Sequence, residues 1–159
     1  MNYRRLLPKT GQSVVEFALI IPLFFMVLFG IFELGYLFTI YTGLTNSARE
    51  VARTGATYQY ANPTSITTLG DVDGGRKKEM DGTFTATLHP LIDAADVTPT
   101  YTYYPVTPSS SIYRYGDKVT VTLTYTHQFF FSRLLFPNNA DGKMSIVAES
   151  EMRLEPGGR

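Results

Sequence analysis

Between Lys9 and Arg49 the chain carries two charges, Glu16 and Glu33, set in a run of large apolar side chains that reaches Tyr41. A carboxylate in a hydrocarbon layer costs about 2.5–3.5 kcal/mol at the centre and less at the rim, so it is expected to answer a cation or a polar partner. Ion pairing in or beside a membrane is therefore the chemistry these residues suggest. The other reactive residue types offer less. The sequence has no cysteine, which excludes disulfides, thiolate metal sites and a cysteine nucleophile. His89 precedes Pro90, and His127 closes a Thr-rich stretch. Neither lies near an acid-rich motif, so both read as turn or surface residues and not as a general base or metal ligands. Ser109-Ser-Ser111 falls in a Pro-flanked loop, and neither a Gly-x-Ser-x-Gly motif nor a phosphate-cradling Gly loop is present. Asp71-Val-Asp-Gly-Gly75 begins like a calcium loop, but its twelfth position is Gly82, where a bidentate Glu is needed. The expectation is a protein that is not an enzyme, with no cofactor, no metal and no small-molecule substrate.

The element that must position Glu16 is the apolar run itself. Residues 17–32 are sixteen consecutive uncharged residues, and with their flanks they exceed the roughly 20 needed to cross a hydrocarbon core. Arg4, Arg5 and Lys9 precede the run with no acid among them. The positive-inside tendency then keeps the N-terminus cytoplasmic and puts the rest of the chain outside the cytoplasmic membrane. An ordinary secretory signal fits poorly, because its apolar region spans about 7–15 residues and ends in a small-x-small site. Here the run is longer and is followed by Thr42-Gly-Leu-Thr-Asn46. Beyond it Leu44, Ala48, Val51, Ala52 and Gly55 recur at helical spacing, with Arg49, Glu50 and Arg53 on the other side. One helix over 14–56 would measure about 64 Å, roughly twice the hydrocarbon thickness, so a stalk should leave the membrane. Pro22 lies inside that helix and should bend it or free a carbonyl. Gly30 and Gly35 are five apart and miss the small-xxx-small spacing of a helix-pairing seam.

Residues 57–74 read as a linker, with a short helical turn over 63–69 after Asn62-Pro63. Met80, Phe84, Leu88, Leu91 and Ile92 then repeat at steps of three and four, which predicts a helix over 75–93 despite Gly82 and Pro90. From Val97 the period becomes two. Residues 97–104 alternate, as do 119–126, where Val119, Val121, Leu123 and Tyr125 interleave with threonines. Phe129-Phe-Phe131 and Leu134-Leu-Phe136 form an apolar cluster too short to span a membrane. Residues 143–155 alternate again, with Met144, Ile146, Ala148, Met152 and Leu154 inward. The fold class expected is α+β: a long N-terminal transmembrane and stalk helix (12–56), then a soluble unit (75–155) of one or two helices on a three-stranded antiparallel sheet, ending in a loose tail (156–159).

The 159 residues carry no net charge, 14 basic against 14 acidic, which gives no nucleic-acid footprint. Without the three bases of the leader, 1–11, the remainder has 11 bases against 14 acids, a net of −3.

Gly11 followed by four residues and then Glu16-Phe17 resembles the processing site of class III prepilins, in which a membrane aspartyl peptidase cuts after the glycine. Gly11-Gln-Ser-Val-Val-Glu-Phe-Ala-Leu-Ile-Ile-Pro22, Phe29-Gly-Ile-Phe-Glu-Leu-Gly35 and Asn46-Ser-Ala-Arg-Glu-Val-Ala-Arg53, in that order, resemble the TadE family of the tight-adherence (Flp) pilus machinery. The chain departs from the family's pattern at Tyr36 and Val51. The resemblance implies a minor pilin or pilus-assembly subunit, cut by a prepilin peptidase so that Gln12 becomes the first residue. Its partners would be other pilin-like subunits and the assembly platform, met through Glu16, Phe17 and the membrane helix that holds Pro22 and Glu33. The new α-amine at Gln12 would have a pKa of about 7.7–8.0 and offer Glu16 of a neighbouring subunit a cation. The competing expectation is an uncleaved, membrane-anchored extracytoplasmic binding or sensor module.

Overall fold

The computed structural model describes residues 10–58, 69–104, 116–129 and 142–155. Helix α1 spans Thr10–Thr57 and α2 spans Leu69–Thr87; a short turn at Ala94–Asp96 leads into strands β1 (Val97–Tyr104), β2 (Lys118–Gln128) and β3 (Lys143–Arg153). The chain divides into two compact units, Met1–Phe38 and Thr39–Arg159, with the boundary inside α1.

In the first unit most large side chains of the helix are exposed, while Leu37, near its end, is buried. The five consecutive residues 23–27 are all exposed, which is more than one helical turn, so no face is reserved for a protein core. A helix apolar all round is suited to lipid. It is long and apolar enough to cross a membrane.

In the second unit the same helix changes character. Ile40, Leu44, Ser47, Ala48, Val51, Ala52 and Ala56 are buried along one stripe, while Arg49 and Arg53 stay exposed. Helix α2 packs antiparallel against that stripe. Ser47 Oγ lies 3.0 Å from Thr87 Oγ1, and Thr83 Oγ1 donates to Thr54 Oγ1 at 3.2 Å. A Cβ on Gly55 would lie 2.7 Å from Met80 Sδ. The small residues of α1 are what let the two backbones approach.

The sheet is antiparallel in the order β1-β2-β3. Val97, Pro99, Tyr101 and Tyr103 stand opposite Tyr125, Leu123, Val121 and Val119, and the β2 residues stand opposite Ile146, Ala148, Ser150 and Met152. This face carries the unit's buried apolar strand residues Val97, Val119, Val121, Leu123, Tyr125, Ile146 and Ala148. The opposite face pairs Thr98 with Thr124, Thr100 with Thr122 and Thr102 with Thr120. Pro99 has no N–H to give a neighbour, which suits an edge strand. After β3, the Glu155 N–H donates to the Ala56 carbonyl at 3.0 Å and so satisfies one of the groups orphaned at the end of α1.

The α+β architecture and its three antiparallel strands match the expectation. Helix α2 does not match the expected 75–93: it starts at Leu69 and ends at Thr87. Asp71 lies in its first turn, where a carboxylate favours the start. Pro90 ends it, because a proline ring would clash with the preceding turn and pushes residue 89 away from helical angles. Leu91, expected inward, is therefore carried out to solvent, and Met144 is also exposed at the open end of its strand. Residues 63–68 of the expected helical turn and the cluster at 130–136 lie outside the described residues.

Candidate functional site

The residues singled out at the N-terminus lie on α1, which is helical from Thr10 through Gly11. Gln12 Nε2 donates to Glu16 Oε1 at 3.1 Å, an exposed pair one turn apart. Glu16 thus points back along the first turn of the helix, as a helical side chain must. Phe17 is exposed, and no atom lies within 4 Å of a Cβ built on Gly11. Pro22 sits within the continuous helix, and Glu33, farther along, is partly buried and engaged with its surroundings. The geometry brings Gln12 and Glu16 together.

A second polar arrangement, not foreseen from the sequence, lies where α2 meets the sheet. Arg76 is buried, and its guanidinium carbon lies 5.8 Å from the Tyr58 ring and 5.7 Å from the Tyr103 ring. Its Nη1 pairs with Asp73 Oδ1 at 3.1 Å. One side chain thereby touches the end of α1, its own helix and β1. A turn farther along α2, Asp81 accepts from Lys77 Nζ at 2.7 Å and from Tyr101 Oη at 2.8 Å. Partial burial raises the Asp81 carboxyl, but the hydrogen bonds from Lys77 and Tyr101 outweigh it and hold the group below the usual carboxylate range. Burial first, and then the hydrogen bond to Asp81, push the Tyr101 phenol well above its ordinary value. On the outer side of α1, Glu50 pairs with Arg53 in solvent, and the hydrogen bond lowers the carboxyl.

These groups tie α2 to the residue that follows α1 and to β1. Among the described residues no cluster of His, Asp or Glu could hold a metal ion. His89 Nδ1 accepts from the Leu91 N–H at 3.2 Å within its turn, and His127 stacks on Tyr125 with ring centroids 6.3 Å apart. Tyr58, Arg76 and Tyr103 were missed because cation–aromatic stacking joins three elements and leaves no spacing signal in the sequence.

A long apolar helix followed by a small α+β unit defines the class: it fits a single-pass membrane anchor. Residues 11–53 match the model of the TadE-like protein family, which associates the chain with Tad pilus systems. That family is structural and not enzymatic. The match covers the helix only as far as residue 53, and the sheet lies wholly outside it. No curated protein and no solved structure matches the chain.

Proposed function

We propose that the chain is a minor pilin or pilus-assembly subunit of a Tad-type pilus, anchored by α1 in the cytoplasmic membrane with its α+β unit on the extracytoplasmic side. The observation that carries this reading is the family match over residues 11–53, which takes in Gly11, Glu16 and the apolar run together. A prepilin peptidase cuts between Gly11 and Gln12, within the first described residues of α1. The cut removes the basic leader and leaves an α-amine. In the assembled pilus the Glu16 carboxylate pairs with the amine of a neighbouring subunit, setting register between apolar helices. The Gln12 side chain, already bonded to Glu16, holds that carboxylate at the N-terminal turn until a neighbour arrives. The unit Thr39–Arg159 presents surfaces to other subunits and performs no catalysis. The test is intact-mass and N-terminal analysis of native protein with and without the processing peptidase. A start at Gln12 that depends on the peptidase is expected; a chain that keeps Met1 in both would refute processing.

A further inference from the structure

The sheet ends in two edge strands, and the two are unlike. β1 has eight residues and carries Pro99, which removes a backbone donor. β3 has eleven, Lys143–Arg153, with neither proline nor glycine. Its register with β2 runs unbroken from Lys143 to Arg153, so no bulge turns this edge away. Among the described residues no strand pairs with its outer side. Such an edge offers a row of backbone N–H and C=O groups to another strand, and proteins ordinarily blunt it. On β3 the blunting falls to four exposed charges, Lys143, Glu149, Glu151 and Arg153.

The order of those charges selects a partner. The base Lys143 opens the strand and the acids come six and eight residues later, so β3 run backwards complements β3. Residues directly opposite each other share a face, and a one-residue slip would set the buried row against the outer row, so such a self-pairing must centre on a residue. Centred on Ala148 it would set Lys143 against Arg153 at both ends, and centred on Glu149 it would set two acids together. Centred on Ile146 it would keep only 143–149 in register and leave Glu151 out. Centred on Val147 it keeps 143–151 in register, with Lys143 opposite Glu151 twice and Ser145 opposite Glu149. On the core face Ile146 then meets Ala148, which continues the buried row. Val147 is 50% exposed and is the one aliphatic side chain among the described strand residues of the outer face, and at the centre it meets its own copy. Glu151 takes Lys118 Nζ at 2.6 Å through Oε1, and a carboxylate can accept a second cation through its other oxygen.

We propose that β3 pairs antiparallel with β3 of a second copy of the chain, centred on Val147, and joins two three-stranded sheets into one. About eight to ten backbone hydrogen bonds form across the pair. The charges then fix the register, since opposite charges face each other only at this centre with nine residues engaged. The pairing needs neither a cut at Gly11 nor a pilus, so it stands apart from the function proposed above.

The sequence has no cysteine, so single substitutions report without background. The full chain is purified in detergent micelles and oxidised with copper phenanthroline. Two Val147 Cα atoms facing each other lie about 4.5–5.5 Å apart, within disulfide reach, so Val147→Cys should give covalent dimer. In Ser145→Cys or Glu149→Cys alone the two thiols are about 13 Å apart along the strands, so each should stay monomeric, and a mixture of the two should cross-link. Lys143→Glu added to Val147→Cys sets acid against acid and should lower the dimer yield several-fold; an unchanged yield overturns the charge register. Cross-linking in the mixture alone upholds the pairing, with the 147 thiols off disulfide geometry. Dimer at 145, 147 and 149 each alone, or at 147 without any in the mixture, is collision and overturns the register. Absence of dimer both at 147 and in the mixture overturns the pairing. Dimer at Phe24→Cys with none at those sites overturns it too and moves the association into α1. Each of these failures leaves the proposed pilus role standing, because that role is read from the N-terminus of the native chain.

Discussion

Replacing Arg76 by methionine should weaken the α+β unit far more than any exposed charge change, and the structure sets the size of the effect. The Arg76 side chain is 2% exposed and that of Asp73 is 22% exposed. Losing one partner of a fully buried ion pair costs about 3–5 kcal/mol. Asp73 keeps some solvent, so stranding it costs less, about 1–2 kcal/mol. The two ring contacts, each near the 6 Å limit of such interactions, add about 0.5–1 kcal/mol apiece. Methionine retains most of the aliphatic stem, so the packing term stays small and the total is about 2–4 kcal/mol. With a urea slope of about 1–3 kcal/mol/M, the unfolding midpoint should fall by about 1–2 M. The assay is near-UV circular dichroism of the full chain in detergent micelles. Tyrosine dominates that signal because the sequence has no tryptophan, and Tyr58 and Tyr103 flank the site. Adding Asp73→Asn removes the stranded charge and should recover part of the loss, since apolar replacement of a whole buried pair is often neutral. An Arg76→Met midpoint equal to wild type, or a double variant no better than the single, would refute the clamp.

Gly55→Val should cost about 1–3 kcal/mol by forcing α1 away from Met80, whereas Gly55→Ala should cost less, because the thioether can swing aside and alanine favours the helix. Urea midpoints of the two variants check the order. Tyr101→Phe removes one donor to Asp81, so the carboxyl should titrate closer to the usual range, as read by carboxyl-carbon NMR. Because the Asp81 pKa is depressed in the fold, its contribution to stability is present above about pH 4 and is lost as pH falls through the folded value. For Tyr101 the sign is reversed. Its raised pKa stabilises the fold below about pH 10, and that contribution is lost as pH rises through the folded value. The absorbance difference between wild type and Tyr101→Phe should show this tyrosine ionising only with alkaline unfolding. Finally, Glu16→Ala should be processed at Gly11 yet be missing from sheared pili by immunoblot; normal incorporation would remove the pairing role from Glu16.

The strands were legible because each is a period-two run bounded by turn residues: 97–104 was located to the residue, and 119–126 and 143–155 to within two. The inner stripe of α1 was also legible, since Leu44, Ala48, Val51 and Ala52 are all fully buried. Helix α2 was harder to read. Its buried line is Val72, Arg76, Met80 and Phe84, steps of four in which one member is a cation. An arginine on the core side reads as polar until the aromatic rings that cover it are known, so the pattern seemed to begin only at Met80. It also seemed to run on through Leu91, because apolar spacing does not register that Pro90 has already turned the chain. The ligands of Asp81 were illegible for a different reason. Lys77 is a helical neighbour, but Tyr101 comes from a strand on another element, and no spacing in the sequence marks that contact.

The matched segment, 11–53, does two physically different jobs, and the change between them falls inside one uninterrupted helix. Up to Tyr36 bulky residues stand on every side, as lipid requires. From Leu37 a single stripe is buried, and its later members become small: Ser47, Ala48 and Ala52 lie within the match, followed by Gly55 and Ala56. The Asn46-Ser-Ala-Arg-Glu-Val-Ala-Arg53 motif is therefore a docking platform, with its small residues toward α2 and its charges, Arg49, Glu50 and Arg53, toward solvent. Glu50 and Arg53 satisfy each other outside the core.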